Sequence, residues 1–339
     1  MKKKIALIGG SGFIGHNLAL SLKKNGHEIF IVDSLSVNNL YSFKSEDVEN
    51  KNLYKSILNS RINLLNKNNI QLQIQDARDY NSLSRYLGEI KPDVIIMLAA
   101  VSHANKSNKD PHNTFDHSIR TLENCLDIAR VINQNYNLCH LIYFSSSMVY
   151  GNFNSESVNE KVNCDPIGIY DTLKYSGELI VKSYNRVFDL PYTIIRPSAL
   201  YGERCVSRRV TQIFIENAVQ GKDIIIKGDK NKKLDFTYIN DLIHGVELII
   251  ENKSAINETF NLTYGESKSL LDLTEILKVN FKGIKVDFTE EEKFVPTRGT
   301  LDISKAKKLL GYKPKHSIED GYLKYINWYK KYWEENFSK

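Results

Sequence analysis

The sequence predicts an α/β fold: a doubly wound parallel sheet followed by a smaller C-terminal α/β lobe. Three observations lead there. Short apolar runs alternate with helix-like segments over residues 1–200, the pattern of a parallel sheet with crossover helices. The first run ends in a glycine cluster, Gly9-Gly10-Ser11-Gly12-Phe13-Ile14-Gly15, placed between strand and helix. After Gly202 the alternation loosens, which marks the substrate-binding lobe expected over residues 201–339.

In chain order, Lys4 to Ile8 is an apolar run suited to a buried parallel strand. The helix behind the glycines reaches Lys24 and stops at Gly26, and a second strand, Glu28 to Val32, ends at Asp33. Gly9, Gly12 and Gly15 permit a tight turn whose backbone N–H groups approach a pyrophosphate at the helix N-terminus. Asp33, eighteen residues after Gly15, is placed to accept hydrogen bonds from ribose hydroxyls. A carboxylate there repels a 2′-phosphate, so the expected cofactor is NAD rather than NADP.

The segment from Asn38 to Asn69 is polar and reads as helix plus surface loop with no chemistry in it. Ile70 to Gln75 alternates as a strand that delivers Asp76 and Ala77, the acid being a candidate adenine contact, while Asp79 suits a helix N-cap. Val94 to Leu98 is another strand, and Ala99 and Ala100 at its end leave room for a cofactor to lie against the backbone. His103 follows in a loop as a candidate substrate contact, and His112 to Asn133 reads as one long helix.

The run Leu141-Ile142-Tyr143-Phe144 brings Ser145, Ser146 and Ser147 to a strand end. Further on, Tyr170 and Lys174 stand four apart on a helix, so phenol and ammonium share one face. A hydroxyl, a phenol and a lysine are the parts needed to move a proton on and off an alcohol. In the second lobe, Val210 to Gln220 reads as helix, Ile224 to Lys227 and Asp235 to Ile239 as strands, and a helix starts at Asp241. Thr259 to Thr263 reads as a strand and a helix starts at Leu270. Ile318, Tyr322, Ile326 and Tyr329 form a core stripe, and Glu290-Glu291-Glu292 a solvated turn.

Composition excludes several classes of function. The net charge of +6 comes from lysines spread along 339 residues, without the aromatic-basic motifs of a nucleic-acid binder. The four cysteines lack metal-ligand spacing and suit a reducing, cytoplasmic location. The early apolar run breaks at Gly9-Gly10, too soon for a signal core, and no stretch is long enough for a membrane span.

The motifs together resemble the extended short-chain dehydrogenase/reductases, and within them the NAD-dependent nucleotide-sugar epimerase/dehydratase family. The resemblance rests on Gly9, Gly12 and Gly15, Asp33, Asp76, Leu98-Ala99-Ala100, Ser146 ahead of Val149-Tyr150-Gly151, and Tyr170 with Lys174. It continues through Arg196-Pro197-Ser198-Ala199-Leu200-Tyr201-Gly202, Asp235-Phe236-Thr237 and Asp302-Ile303-Ser304-Lys305-Ala306. It implies a Rossmann-type NAD domain over 1–200 that carries the catalytic residues, with possible exchange of elements between the lobes. Tyr170 would be the general base, Lys174 would hold the nicotinamide ribose and favour the phenolate, and Ser146 would bind the reacting oxygen. Phe13, Ile14, Ala77 and Pro197 would join the cofactor site. A homodimer or higher homo-oligomer is implied through the Tyr170 helix and its neighbour.

Departures from the family pattern narrow the reaction. Dehydratases carry an acid, and some epimerases a cysteine, where Ser147 and Met148 stand. Oxidation at carbon 4 remains, as a 4-epimerase or else a 4-dehydrogenase acting on, for example, a GDP-linked hexose or heptose. A non-catalytic NAD-binding regulator is the alternative of another class. Ala199 replaces a frequent Asn, Leu234 a frequent Arg and Ser118 a frequent Asn. Arg204, Arg208, Arg209 and Arg298 are therefore candidates for anion contacts, with His103, Ser147, Met148 and Ala199 as further candidate substrate contacts. Gly299 stands where some epimerases have a bulkier gate, which would admit a larger sugar.

Overall fold

Seven parallel strands form the central sheet of the computed structural model, which describes residues 2–45, 48–102, 104–136, 139–229, 232–289 and 296–337. They are β1 (Lys4–Ile8), β2 (Glu28–Asp33), β3 (Gln71–Ile74), β4 (Val94–Met97), β5 (His140–Phe144), β6 (Tyr192–Arg196) and β7 (Glu258–Asn261). Their spatial order is β7-β6-β5-β4-β1-β2-β3. Because side chains alternate along a strand, each strand feeds two cores. Ile5 and Leu7 join one core with Leu18 and Leu22, whereas Ala6 and Ile8 join the other with Leu126 and Val181. Both faces are covered by helices, which is why the strand sequences are almost continuously apolar.

Helices α1 (Phe13–Lys24), α2 (Lys51–Lys67) and α3 (Tyr80–Ile90) follow the first three strands, α2 lying in the long β2–β3 connection. Next come α4 (Thr121–Tyr136) and α5 (Ile169–Phe188). In the second lobe, α6 (Val210–Val219), α7 (Ile239–Glu251), α8 (Leu270–Asn280) and α9 (Ile318–Asn336) surround small two-stranded pairings. The predicted stripe Ile318, Tyr322, Ile326 and Tyr329 is core.

Four expectations are built differently. The polar 38–69 segment is not merely surface: α2 buries Leu53, Tyr54, Ile57, Leu58, Arg61 and Leu65. The long helix expected from His112 is broken into Pro111–Phe115, a π turn at Asp116–Arg120, and α4. The widened turn puts His117 on the wall of the cleft described below. The Asp235–Ile239 strand splits in two, Lys233–Asp235 pairing with Ser267–Ser269 and Thr237–Tyr238 with Leu200–Tyr201. The buried Asp235 carboxylate fixes the split by accepting from Thr263 Oγ1 and the Gly265 and Leu301 N–H groups. Finally, the strand expected at Thr259 belongs to the main sheet as β7, paired with β6 from Glu258↔Thr193 to Asn261↔Arg196. The Glu290–Glu292 turn lies outside the described residues.

Candidate active site

All the strand ends that carry chemistry point to one edge of the sheet, where ligands of open α/β sheets lie. There a solvent-connected cleft runs along the strand ends. Its wall includes Gly9, Gly12, Phe13, Ile14, Gly15, Asp33, Asp76, Ala77, Leu98, Ala99 and Ala100. The glycine turn is tight for a physical reason. Gly9 has φ +82°, and a Cβ there would stand 2.7 Å from Ala99 N; one on Gly15 would stand 2.5 Å from the Gly10 backbone. The backbone therefore forms a bare cradle at the start of α1.

Asp33 accepts the Ser11 N–H at 3.0 Å and the Leu35 N–H at 2.8 Å. Burial raises its pKa, while the hydrogen bonds from Ser11 and Leu35 oppose that. Each oxygen keeps a lone pair for a ribose hydroxyl. Asp76 is committed elsewhere: Arg78 grips it from Nε at 3.1 Å and from Nη2 at 2.6 Å and also bonds Asp116. Asp79 caps α3 by accepting from Ser82 N. Gln75, on the same wall, has a buried side-chain N–H group without a partner, a donor ready for a ligand.

A second recess continues the first, sharing Ile14, Leu98, Ala100, Ser102, Leu200 and Arg209. It is lined by Ser146, Tyr170, Lys174, Pro197 and Ala199. Ser145 also touches it, but its hydroxyl donates to Glu178 at 2.5 Å. Ser146 differs. Its oxygen accepts the Met148 N–H at 3.2 Å, capping the short 3-10 turn Ser147–Tyr150. That contact uses a lone pair and leaves the hydroxyl proton to donate, and Ser146 hydrogen bonding lowers the Tyr170 pKa.

Burial raises the Tyr170 pKa above that of a free phenol; Arg209, Ser146 and Arg298 pull it back down. Lys174 is buried, which lowers its pKa to about 8 against the opposing pull of Glu178 one turn on. Its ammonium donates to the Phe144 carbonyl at 2.7 Å, so β5 and α5 are pinned together at the reacting end. Glu178 in turn holds Arg196 through contacts of 2.9 and 2.6 Å. The arrangement is a buried phenol flanked by cations and a hydroxyl donor, a set of groups able to exchange a proton with an alcohol.

A profile of the NAD dependent epimerase/dehydratase family matches residues 5–263. The chain belongs to this family. It is 29% identical, over 96% of its length and 98% of the relative's, to a putative UDP-glucose 4-epimerase of Methanocaldococcus jannaschii. Among solved structures it is similar to the UDP-glucose 4-epimerase of Thermotoga maritima with UDP-glucose, at TM-score 0.83 and 26% identity over 97% and 99% of the two chains. It is likewise similar to the UDP-glucuronic acid 4-epimerase of Bacillus cereus in complex with UDP-glucuronic acid and NAD. There the TM-score is 0.82 and the identity 28%, over 97% and 99% of the chains. The family enzyme is NAD-dependent, and the bare cradle, Asp33 and the partnerless Gln75 amide fit that cofactor.

The substrate side of the enzyme departs from several expectations. Ser147 and Met148 are not on the recess wall among the described residues. Their turn sends Val149 and Tyr150 into a small core with Val158 and Leu301, and the buried Ser147 hydroxyl has no partner. Arg204 is not on the recess wall and has its guanidinium over Trp328 at 5.8 Å, and Arg208 lies over Phe43 at 5.6 Å. Arg209 and Arg298 are the arginines that act on Tyr170. Gly299 would direct a Cβ at the Glu156 carbonyl, 3.0 Å away, so chain packing accounts for its missing side chain. Ala199 has φ +36°, a backbone that suits the Asn frequent there and strains alanine. His103 lies outside the described residues. Arg61, His117 and Thr121 line the cleft, and the sequence reading does not place them there. The signal for Arg61 is its place in the stripe Ile57, Arg61, Leu65 of a helix otherwise apolar on that side.

Proposed function

We propose that the enzyme inverts carbon 4 of a nucleotide-activated sugar by oxidising and then re-reducing it, as a nucleotide-sugar 4-epimerase. The observation that carries this reading is the recess around Tyr170. Ser146, Tyr170 and Lys174 meet there, and among the described residues its wall has no carboxylate or thiol. Without a second acid, elimination of water lacks a proton donor, so redox at one carbon is the supported chemistry.

In this mechanism the Ser146 hydroxyl holds the C4 oxygen and Tyr170 takes its proton. Lys174, Arg209 and Arg298 favour the phenolate through their charge. Gly9, Gly12 and Gly15 would hold NAD, with Asp33 on a ribose, and the cofactor would supply a hydride acceptor at C4 and a donor to its opposite face. On re-reduction Tyr170 returns the proton to the oxygen.

The test is incubation with UDP-, GDP-, dTDP- and CDP-sugars, with and without NAD, with products read by mass spectrometry and NMR. A mass-neutral isomer without net NADH is expected. Loss of two hydrogens assigns a 4-dehydrogenase instead, and loss of water overturns the exclusion of dehydratase chemistry.

We further infer a homodimer formed through α4 and α5. Their outer faces expose Val131, Tyr136, Leu179 and Val187, an apolar surface suited to a second copy. Light scattering that gives a monomer at working concentration would refute it. The four cysteines are free thiols, which suits a cytoplasmic location, and no described helix is long and apolar enough to cross a membrane.

A further inference from the structure

Arg61 is the buried charge that the proton chemistry leaves unused. It sits on α2, only 1% exposed, yet it lines the same cleft as Gly9, Gly12 and Gly15. Its hydrogen bonds go to a carbonyl rather than a carboxylate: Nε donates to Arg204 O at 3.0 Å, and Nη2 donates to the same oxygen. Its pKa is lowered to about 10, mainly by burial; Cys205, Tyr325 and Asp33 oppose the shift and the Arg204 charge adds a little to it. His16, buried alongside, has its pKa pushed down and adds no negative charge. A guanidinium held in a dry place with no carboxylate hydrogen-bonded to it is unfavourable unless a ligand supplies an anion. Since the Nε–Nη2 edge is fixed on Arg204, the remaining N–H groups are oriented rather than free to wander.

We propose that Arg61 is an anion ligand of the cofactor site and donates to the pyrophosphate of the bound dinucleotide. The phosphates are the anionic groups of that ligand, and the glycine turn already brings them to this part of the cleft. The inference rests on the family's use of NAD and not on which sugar is turned over. It also gives the Arg204 contact a purpose. Arg204 has φ +63° and belongs to the segment that continues to Arg209, which lines both the cleft and the Tyr170 recess. Arg61 thus ties phosphate binding to the position of the substrate-side segment.

The test uses the full-length enzyme freed of nucleotide, with Arg61→Met and Arg61→Lys variants. Dissociation constants for NADH, ADP and adenosine are measured by calorimetry or by competition with NADH fluorescence. Arg61→Met is expected to weaken NADH and ADP by about tenfold to a hundredfold, the worth of a charge-assisted contact, and to leave adenosine within about twofold. Arg61→Lys, which keeps the charge and loses the fork, falls between. Hydrogen exchange at residues 203–209 should slow on NADH binding in the wild type and not in Arg61→Met. Unchanged NADH and ADP affinity in the folded variants overturns the proposal. So does an equal loss for adenosine, which would make the role purely structural. If Arg61→Met does not fold, the ADP-to-adenosine ratio in Arg61→Lys decides by the same criterion. Failure of the sugar panel leaves these readouts unaffected.

Discussion

The proton-handling end of the cleft and its anion-handling end are assembled in opposite ways. Ser146, Tyr170 and Lys174 come from one strand end and one helix, and short contacts lock them: Ser146 on Met148 N, Lys174 on Phe144 O. The cations come from scattered places: Arg61 on α2, Arg209 at the start of α6, Arg298 in the last connection before Thr300. Their side chains are long, and they reach the cleft from a helix interior, a helix N-cap and a connection. The difference separates what must be placed to a fraction of an ångström, a proton donor and acceptor, from what acts through charge at longer range.

If that division is right, the proton end fails sharply. Tyr170→Phe should cut kcat by about 10²–10⁴-fold, the usual worth of general-base catalysis, while NADH affinity measured by fluorescence stays near wild type. An active Tyr170→Phe enzyme would break the comparison outright. The support beneath that end is next. Glu178→Gln strands the buried Arg196 and should cost about 3–5 kcal/mol of stability in denaturant unfolding. It also removes the charge that holds the Lys174 pKa up, so the lysine loses its proton at lower pH and the alkaline limb of the rate profile moves down.

The anion end should fail gradually. Arg209→Met and Arg298→Met each remove a cation that favours the phenolate, so the Tyr170 pKa rises further. The acidic limb of the pH–rate profile should then move to higher pH, more in the double variant than in either single one. A loss of rate with no movement of the limb would show that the arginines work by contact rather than by field. The smallest effect is expected at Ala199. Ala199→Gly relieves the left-handed backbone, worth about 1–2 kcal/mol, against about 0.4–1 kcal/mol lost to the freer unfolded chain. The melting temperature should rise slightly.

Legibility in the sequence follows the same division. Strand runs, the glycine turn and the Tyr170–Lys174 spacing have fixed periods, so the order of residues alone reveals them. The choice of Ser146 comes from family resemblance; a physical ground against its neighbour Ser145, the bond to Glu178, spans residues 33 positions apart. Arg61 is hidden inside a segment whose Asn and Lys content reads as surface, although α2 faces the core with it. Ser147 and Met148, expected as substrate contacts from the family pattern, lie in a tight 3-10 turn that carries Val149 and Tyr150 into the core, a turn their order in the sequence does not reveal. Arg204 is a candidate anion contact by position; its φ of +63° and its contact with Trp328 are visible only in the structure.

The strand β7 has a consequence for how the chain is made. It completes the cofactor-binding sheet with residues 258–261, after the first part of the second lobe has been synthesised. Until then β6 is an open edge with unpaired backbone groups, the kind of surface that recruits other chains. A fragment that stops near residue 200 should therefore aggregate rather than yield a free-standing NAD module. During translation, the nascent sheet must wait for about sixty further residues before its edge closes.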